Sequence, residues 1–166
     1  MIKKKLCLLG SFGVGKTSLI RKYVFNIYSE AYLSSVGVKV DKKVIVLGSG
    51  TELTLMIWDM AGNDDYQMVA ETYLRGMSGY LLVADGTRPD TLLGARGTRD
   101  AMANLFPNLP SALLLNKADL SGSWALKAAD YADFSSRGIE VAMTSAKDGL
   151  GVEESFRDIA EKLVRA

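Results

Sequence analysis

Eight residues, Gly10-Ser11-Phe12-Gly13-Val14-Gly15-Lys16-Thr17, constrain the fold of this chain more than any other stretch. They stand between a short apolar run, 3–9, that reads as a strand, and the stretch 16–27, which reads as a helix. A strand, a turn of the form G-x-x-x-x-G-K-[ST] and a helix together make a cradle for phosphate. Glycines let the backbone wrap closely, so that successive N–H groups and the helix N-terminus face phosphate oxygens. Lys16 is then placed to bridge a β- and a γ-phosphate and the Thr17 hydroxyl to ligate Mg²⁺, with Gly13, Val14, Gly15 and Ser18 as further phosphate contacts. The loop by itself does not separate ATP from GTP.

The rest of the chain alternates in the same manner. Residues 36–46 and 51–58 show the period of strands and are joined by the tight turn Gly48-Ser49-Gly50. The runs 79–84 and 112–115 are continuously apolar, as central parallel strands are, and 139–143 is a sixth strand. Helices are predicted over 65–75, 90–105, 123–136 and 151–165, the third opening at Ser123 and stopping before Gly138. This order implies an α/β fold of the P-loop NTPase kind: a mostly parallel six-stranded sheet, one antiparallel hairpin strand, and helices on both faces. With 166 residues and no linker or repeat, the chain reads as one domain over 1–166. Ligands of such sheets sit outside the carboxyl ends of the strands.

Composition removes whole classes of chemistry. There is no histidine and one cysteine, Cys7, so His-based acid–base work, His-ligated metals, multi-cysteine metal sites and internal disulfides are excluded. A formal net charge of +1 argues against a broad electrostatic grip on nucleic acid. The Lys3-Lys4-Lys5 run is too poorly followed to open a signal peptide and reads as a solvated face. No apolar run approaches membrane-spanning length, there is no C-terminal Cys, and position 2 is Ile. The expectation is a soluble, cytoplasmic chain whose membrane attachment is not evident from the sequence.

Two further segments fall at predicted strand ends: Asn116-Lys117-Ala118-Asp119 and Thr144-Ser145-Ala146-Lys147. A carboxylate accepts through two oxygens, so Asp119 can take both N1–H and the N2 amine of guanine, a donor pair that adenine lacks. The Lys117 stem can lie against the base, the Ala146 N–H can meet O6, and Ser145 and Lys147 flank that contact.

On these motifs the chain resembles a small GTPase of the Ras superfamily, nearest the Rab-like and Ras-like branches, over essentially its whole length. The resemblance implies a G domain that binds GTP or GDP with Mg²⁺. It also implies effector, exchange-factor and GTPase-activating partners, engaged through two segments that γ-phosphate orders. Trp58-Asp59-Met60-Ala61-Gly62 is similar to the family's D-x-x-G segment, which implies that Asp59 holds Mg²⁺ through water and that the Gly62 N–H senses γ-phosphate. Tyr28 matches the aromatic near guanine, and Ser35 the hydroxyl of the first switch, about 28–38, that reaches Mg²⁺ and γ-phosphate. The second switch is about 61–75.

Three residues depart from the family's pattern. Ser35 stands where Thr is usual and lacks the methyl that stiffens χ1, so a more mobile first switch is expected. Asn63 stands where Gln orients the attacking water; it is one methylene shorter, and a displacement of about 1 Å can cost about 100-fold in rate. Phe12 puts a bulky ring where small residues are usual, either crowding the catalytic space or folding over the loop onto neighbouring apolar surface. No Arg lies between Lys22 and Leu74 to act in cis.

The expectation is therefore a switch with slow hydrolysis, using Asn63, Gly62 and Lys16. An idle, GTP-loaded scaffold is the alternative, and an ATP-using P-loop kinase a distant third. Cys7 reads as a core residue, Asp64-Asp65 as the charged first turn of a helix, and Met56, Met60 and Met68 as an adaptable surface by the second switch.

Overall fold

The computed structural model describes residues 1–30, 38–60 and 71–166. Ser35, Gly62 and Asn63, and most of the helix expected over 65–75, lie outside the described residues. Six strands form one sheet: β1 (Ile2–Leu9), β2 (Val38–Val46), β3 (Glu52–Met60), β4 (Gly79–Asp85), β5 (Ser111–Asn116) and β6 (Glu140–Met143), in the order β2-β3-β1-β4-β5-β6. All neighbouring pairs are parallel except β2 with β3, the antiparallel hairpin anticipated from Gly48-Ser49-Gly50. Gly50 takes a φ of +84° in that turn and donates to the Leu47 carbonyl.

β4 is buried along its entire length, which is why its sequence is a continuous apolar run rather than an alternating one. One face of the sheet packs under α1 (Lys16–Phe25) and α5 (Val152–Arg165), the other under α3 (Pro89–Leu105) and Phe134 of α4 (Ala132–Ser136). α5 buries Val152, Phe156, Ile159, Ala160 and Leu163, a stripe at helical spacing. Its acidic first turn and basic last turn oppose the helix dipole. Each fully buried large side chain of this kind stabilises the fold by about 1.5–3 kcal/mol. Cys7 lies wholly in the core, where burial pushes its thiol up to about 12, as befits an inert packing residue.

The helix expected over 123–136 is corrected by the structure. The segment is a 3₁₀ turn at Ser121–Ser123, an extended stretch, a second 3₁₀ turn at Ala128–Tyr131, and then the short α4. The extended stretch is held down by tertiary contacts: the Ala125 N–H donates to the Gly86 carbonyl at 2.8 Å, and Leu126 is buried. The Trp124 ring lies so close over Gly86 that a Cβ there would sit 2.0 Å from it. α1 also stops two residues before the expected end, because Asn26 turns left-handed (φ 55°) and caps the Lys22 carbonyl.

Lys5 is only part-exposed. Its ammonium donates to the Arg75 carbonyl at 2.9 Å and to that of Tyr73, and sits 3.7 Å from the Trp58 ring centre. It closes the end of α2 (Glu71–Leu74) rather than standing in solvent.

Candidate functional site

The carboxyl ends of β1, β4, β5 and β6 bring four loops to one side of the sheet, next to the point where chain order reverses about β1. Glycines set the first of them. A Cβ on Gly10 would stand 2.4 Å from the Val83 carbonyl oxygen. Gly15, at φ +102°, would place one 2.3 Å from the Asn116 amide nitrogen. The loop is thus pressed against both β4 and the Asn116 segment, at distances no side chain tolerates.

A cleft of about 210 Å³ opens there, lined by Gly15, Ser18, Tyr28, Glu30, Asn116, Lys117, Asp119, Leu120, Ala146 and Lys147. Eight of these were singled out from the sequence; Glu30 and Leu120 were not. Asn116 is buried and ties three segments together. Its Nδ2 donates to the Val14 carbonyl at 2.9 Å, while its Oδ1 accepts from the Thr144 hydroxyl at 3.1 Å. Lys117, left-handed at φ 70°, donates to the Gly13 carbonyl at 2.9 Å and to Asp85 Oδ2 at 2.8 Å. Ser145 does not line the cleft. It stands behind Asp119, donating from Oγ to Asp119 Oδ1 at 2.8 Å and accepting from the Asp148 N–H, which orients the carboxylate. Across the mouth, Lys147 Nζ pairs with Glu30 Oε1 at 3.0 Å, and that bond holds the lysine's pKa above its ordinary value.

On the phosphate-loop side, Lys16 is buried, with Nζ 2.7 Å from the Gly10 carbonyl and 3.4 Å from that of Ser11. Thr17 Oγ1 donates to Asp59 Oδ2 at 2.6 Å, at the end of β3. A hydroxyl and a buried carboxylate brought together form an all-oxygen set, the donor chemistry that suits a hard cation such as Mg²⁺. Val14 contributes backbone only, since its side chain is in the core. Tyr28 is partly exposed at the cleft wall, and Phe12 is 46% exposed.

Asp85 was missed, although it too closes a strand at the ligand-binding end. It is 1% exposed, with Oδ1 accepting from the Thr87 N–H and hydroxyl, and Oδ2 from Arg88 and Lys117. Burial by itself would raise its pKa. The bonds from Lys117, Thr87 and Arg88 outweigh that and hold it below the usual carboxylate value.

A sheet of this order, with a glycine-rich phosphate loop after its first central strand and Asn-Lys-x-Asp after its fifth, defines a P-loop nucleotide-binding protein. The model of the Ras family matches residues 5–165. Over 169 residues the chain is 30% identical to the Ras-related protein Rab-32C of Dictyostelium discoideum, an alignment covering 99% of this chain and 75% of that protein. The chain belongs to the Ras family: it is a Rab-like small GTPase of the Ras superfamily.

Proposed function

We propose that this single-domain chain is a cytoplasmic guanine-nucleotide switch. It would bind GTP and GDP with Mg²⁺, hydrolyse GTP slowly, and engage effector, exchange-factor and GTPase-activating proteins through its two switch segments. The observation that carries guanine is the Asp119 carboxylate, standing in the cleft wall with Ser145 bonded to it and with Lys117 and Ala146 lining the same cleft. An acceptor turned in advance loses little freedom on binding, and it leaves a base without paired donors facing an unmatched charge. Tyr28 would flank the base and Lys147 its far edge, while Gly13 to Ser18 would hold the phosphates.

Thr17, Ser35 and, through water, Asp59 would hold Mg²⁺, which when bound neutralises charge that develops between the β- and γ-phosphates. Lys16 would place a fixed positive charge beside the same oxygens, the Gly62 N–H would report the γ-phosphate, and Asn63 would orient water.

Calorimetry on Asp119→Ala tests the base assignment. Two hydrogen bonds to a charged acceptor are lost, so guanine preference should fall by about a hundredfold or more; an unchanged preference removes the proposal. The hydrolytic reading is tested by single-turnover assay of wild type and Asn63→Ala. Slow turnover in both is expected, and fast hydrolysis that vanishes in the variant would show Asn63 to be an adequate water-positioning group. The partly exposed Phe12 ring favours a second reading, a GTP-loaded scaffold with idle chemistry. The nucleotide released from purified protein by heat separates the two: GDP for the turning-over switch, GTP for the scaffold.

A further inference from the structure

Three consecutive carbonyls of the phosphate loop are each held from outside the loop. Val14 is held by Asn116 at 2.9 Å, Gly13 by Lys117 at 2.9 Å, and Phe12 by Arg88 Nη2 at 3.0 Å. The first two holders belong to the Asn-Lys-x-Asp segment. Arg88 belongs to neither motif; it is the residue preceding α3. Its Nε donates to Asp85 Oδ2 at 3.1 Å, the same oxygen that takes Lys117, so one buried carboxylate seats two cations that grip adjacent peptides.

The local sequence prepares Arg88 for this. Pro89 follows it, and a residue before proline is kept out of the helical region; Arg88 is accordingly extended, at φ −130° and ψ 94°. Thr91 Oγ1 donates to the Arg88 carbonyl at 2.7 Å and fixes that backbone further. Only a guanidinium can serve a carboxylate through Nε and a carbonyl through Nη2 in one rigid plane; an ammonium is a single point donor.

In a trans peptide the carbonyl of one residue and the N–H of the next point in opposite directions. Drawing the Phe12 carbonyl outward therefore turns the Gly13 N–H to the other side of the loop, where the neighbouring N–H groups belong if phosphate is to be cradled. The Val14 N–H, by comparison, makes only a long 3.4 Å turn bond to the Ser11 carbonyl.

We infer that Arg88 is a positioning residue for phosphate: through Asp85 and the Phe12 carbonyl it presets the Phe12–Gly13 peptide so that its N–H serves the phosphate chain of the bound nucleotide. The inference rests on the nucleotide-binding reading above, but on its phosphates and not on its base.

The test is a competition titration of the full chain with GDP and GMP against a fluorescent guanine nucleotide, in wild type, Arg88→Ala and Arg88→Met. The Met variant keeps the aliphatic stem, so it stands in if Ala disturbs the start of α3. GDP should weaken by about tenfold, the usual effect of losing a charge-assisted hydrogen bond at a half-exposed site, while GMP stays within twofold. A residue that merely supported α3 would lower both affinities alike. GDP binding within twofold of wild type, or a loss shared equally by GMP, overturns the inference. Wild type that bound ADP over GDP would overturn the guanine reading alone, and the same split would then be read with ADP and AMP. Wild type that bound neither would overturn both.

Discussion

The two flanks of β1 are held by different kinds of bond. Toward β4, β5 and β6, the loops are tied by polar groups far apart in sequence, with Asn116, Thr144, Ser145 and Asp85 buried and Lys117 and Asp119 half-buried: Asn116 to Val14 and Thr144, Lys117 to Gly13 and Asp85, Ser145 to Asp119. Toward β2 and β3, the hairpin leaves Val40, Val44 and Val46 exposed and is fastened by lysines at the margin. Lys43 lies 3.7 Å from the Tyr23 ring centre and donates to the Tyr23 carbonyl at 2.7 Å, and Lys5 reaches the end of α2. Losing the buried Asn116 bonds strands their partners without water, whereas the partly exposed Lys43 can be replaced by solvent. The site proposed for the nucleotide is thus built mainly on the flank where losing a bond costs more, and the segments that the family resemblance makes switches adjoin β2 and β3 in sequence.

Asn116→Ala should break this contrast most severely. It strands the Val14 carbonyl and the Thr144 hydroxyl in the interior, a loss of about 2–4 kcal/mol seen as a lowered urea midpoint, together with weaker nucleotide binding. A loss below about 0.5 kcal/mol would mean that the recognition flank is no more rigid than the other.

The Arg96–Asp133–Arg99 cluster, with Arg99 buried over Phe134, extends the same flank to α4. Bonds from Arg96 first and Arg99 after it outweigh desolvation and lower Asp133 to about 2. Because the folded pKa is depressed, the contribution is fully present above the unfolded value near 4 and fades as pH falls from there toward 2. Asp133→Asn should therefore melt below wild type at pH 6, with the gap closing by about pH 2. A gap independent of pH would assign the effect to packing. Asp133 is partly exposed, so the difference is expected to be modest.

Lys43→Met should have the smallest effect. It removes a marginal ion pair with Glu153 and a cation–ring contact but keeps the stem, costing about 0.5–1 kcal/mol in thermal unfolding. A larger loss would place the β2 flank among the rigid parts of the molecule.

Much of the candidate site was legible because its motifs carry their own mechanics. Gly10 and Gly15 are required by close backbone approach, and the strand-end rule places Asp119 and Ala146 in one cleft. Asp85 was open to the same rule but sat at the end of an apolar run with no motif around it. Arg88 gave no such signal: its role depends on the Phe12 carbonyl, 76 residues away in sequence. The 124–127 stretch was misread as helix because local propensity favours one, and its extended form follows only from Gly86 and the buried Leu126 beneath it.

What this chain's order of residues determined on its own is the set of elements and the chemistry at their ends, since hydrophobic period and short glycine motifs are local properties. What only the folded molecule decided is which groups brace that chemistry: Ser145 behind Asp119, Glu30 across from Lys147, and Asp85 with Arg88 beneath the phosphate loop. These contacts join the phosphate loop, the Glu30 segment and the loops after β4, β5 and β6, so they exist only after packing has brought distant loops within about 3 Å of one another.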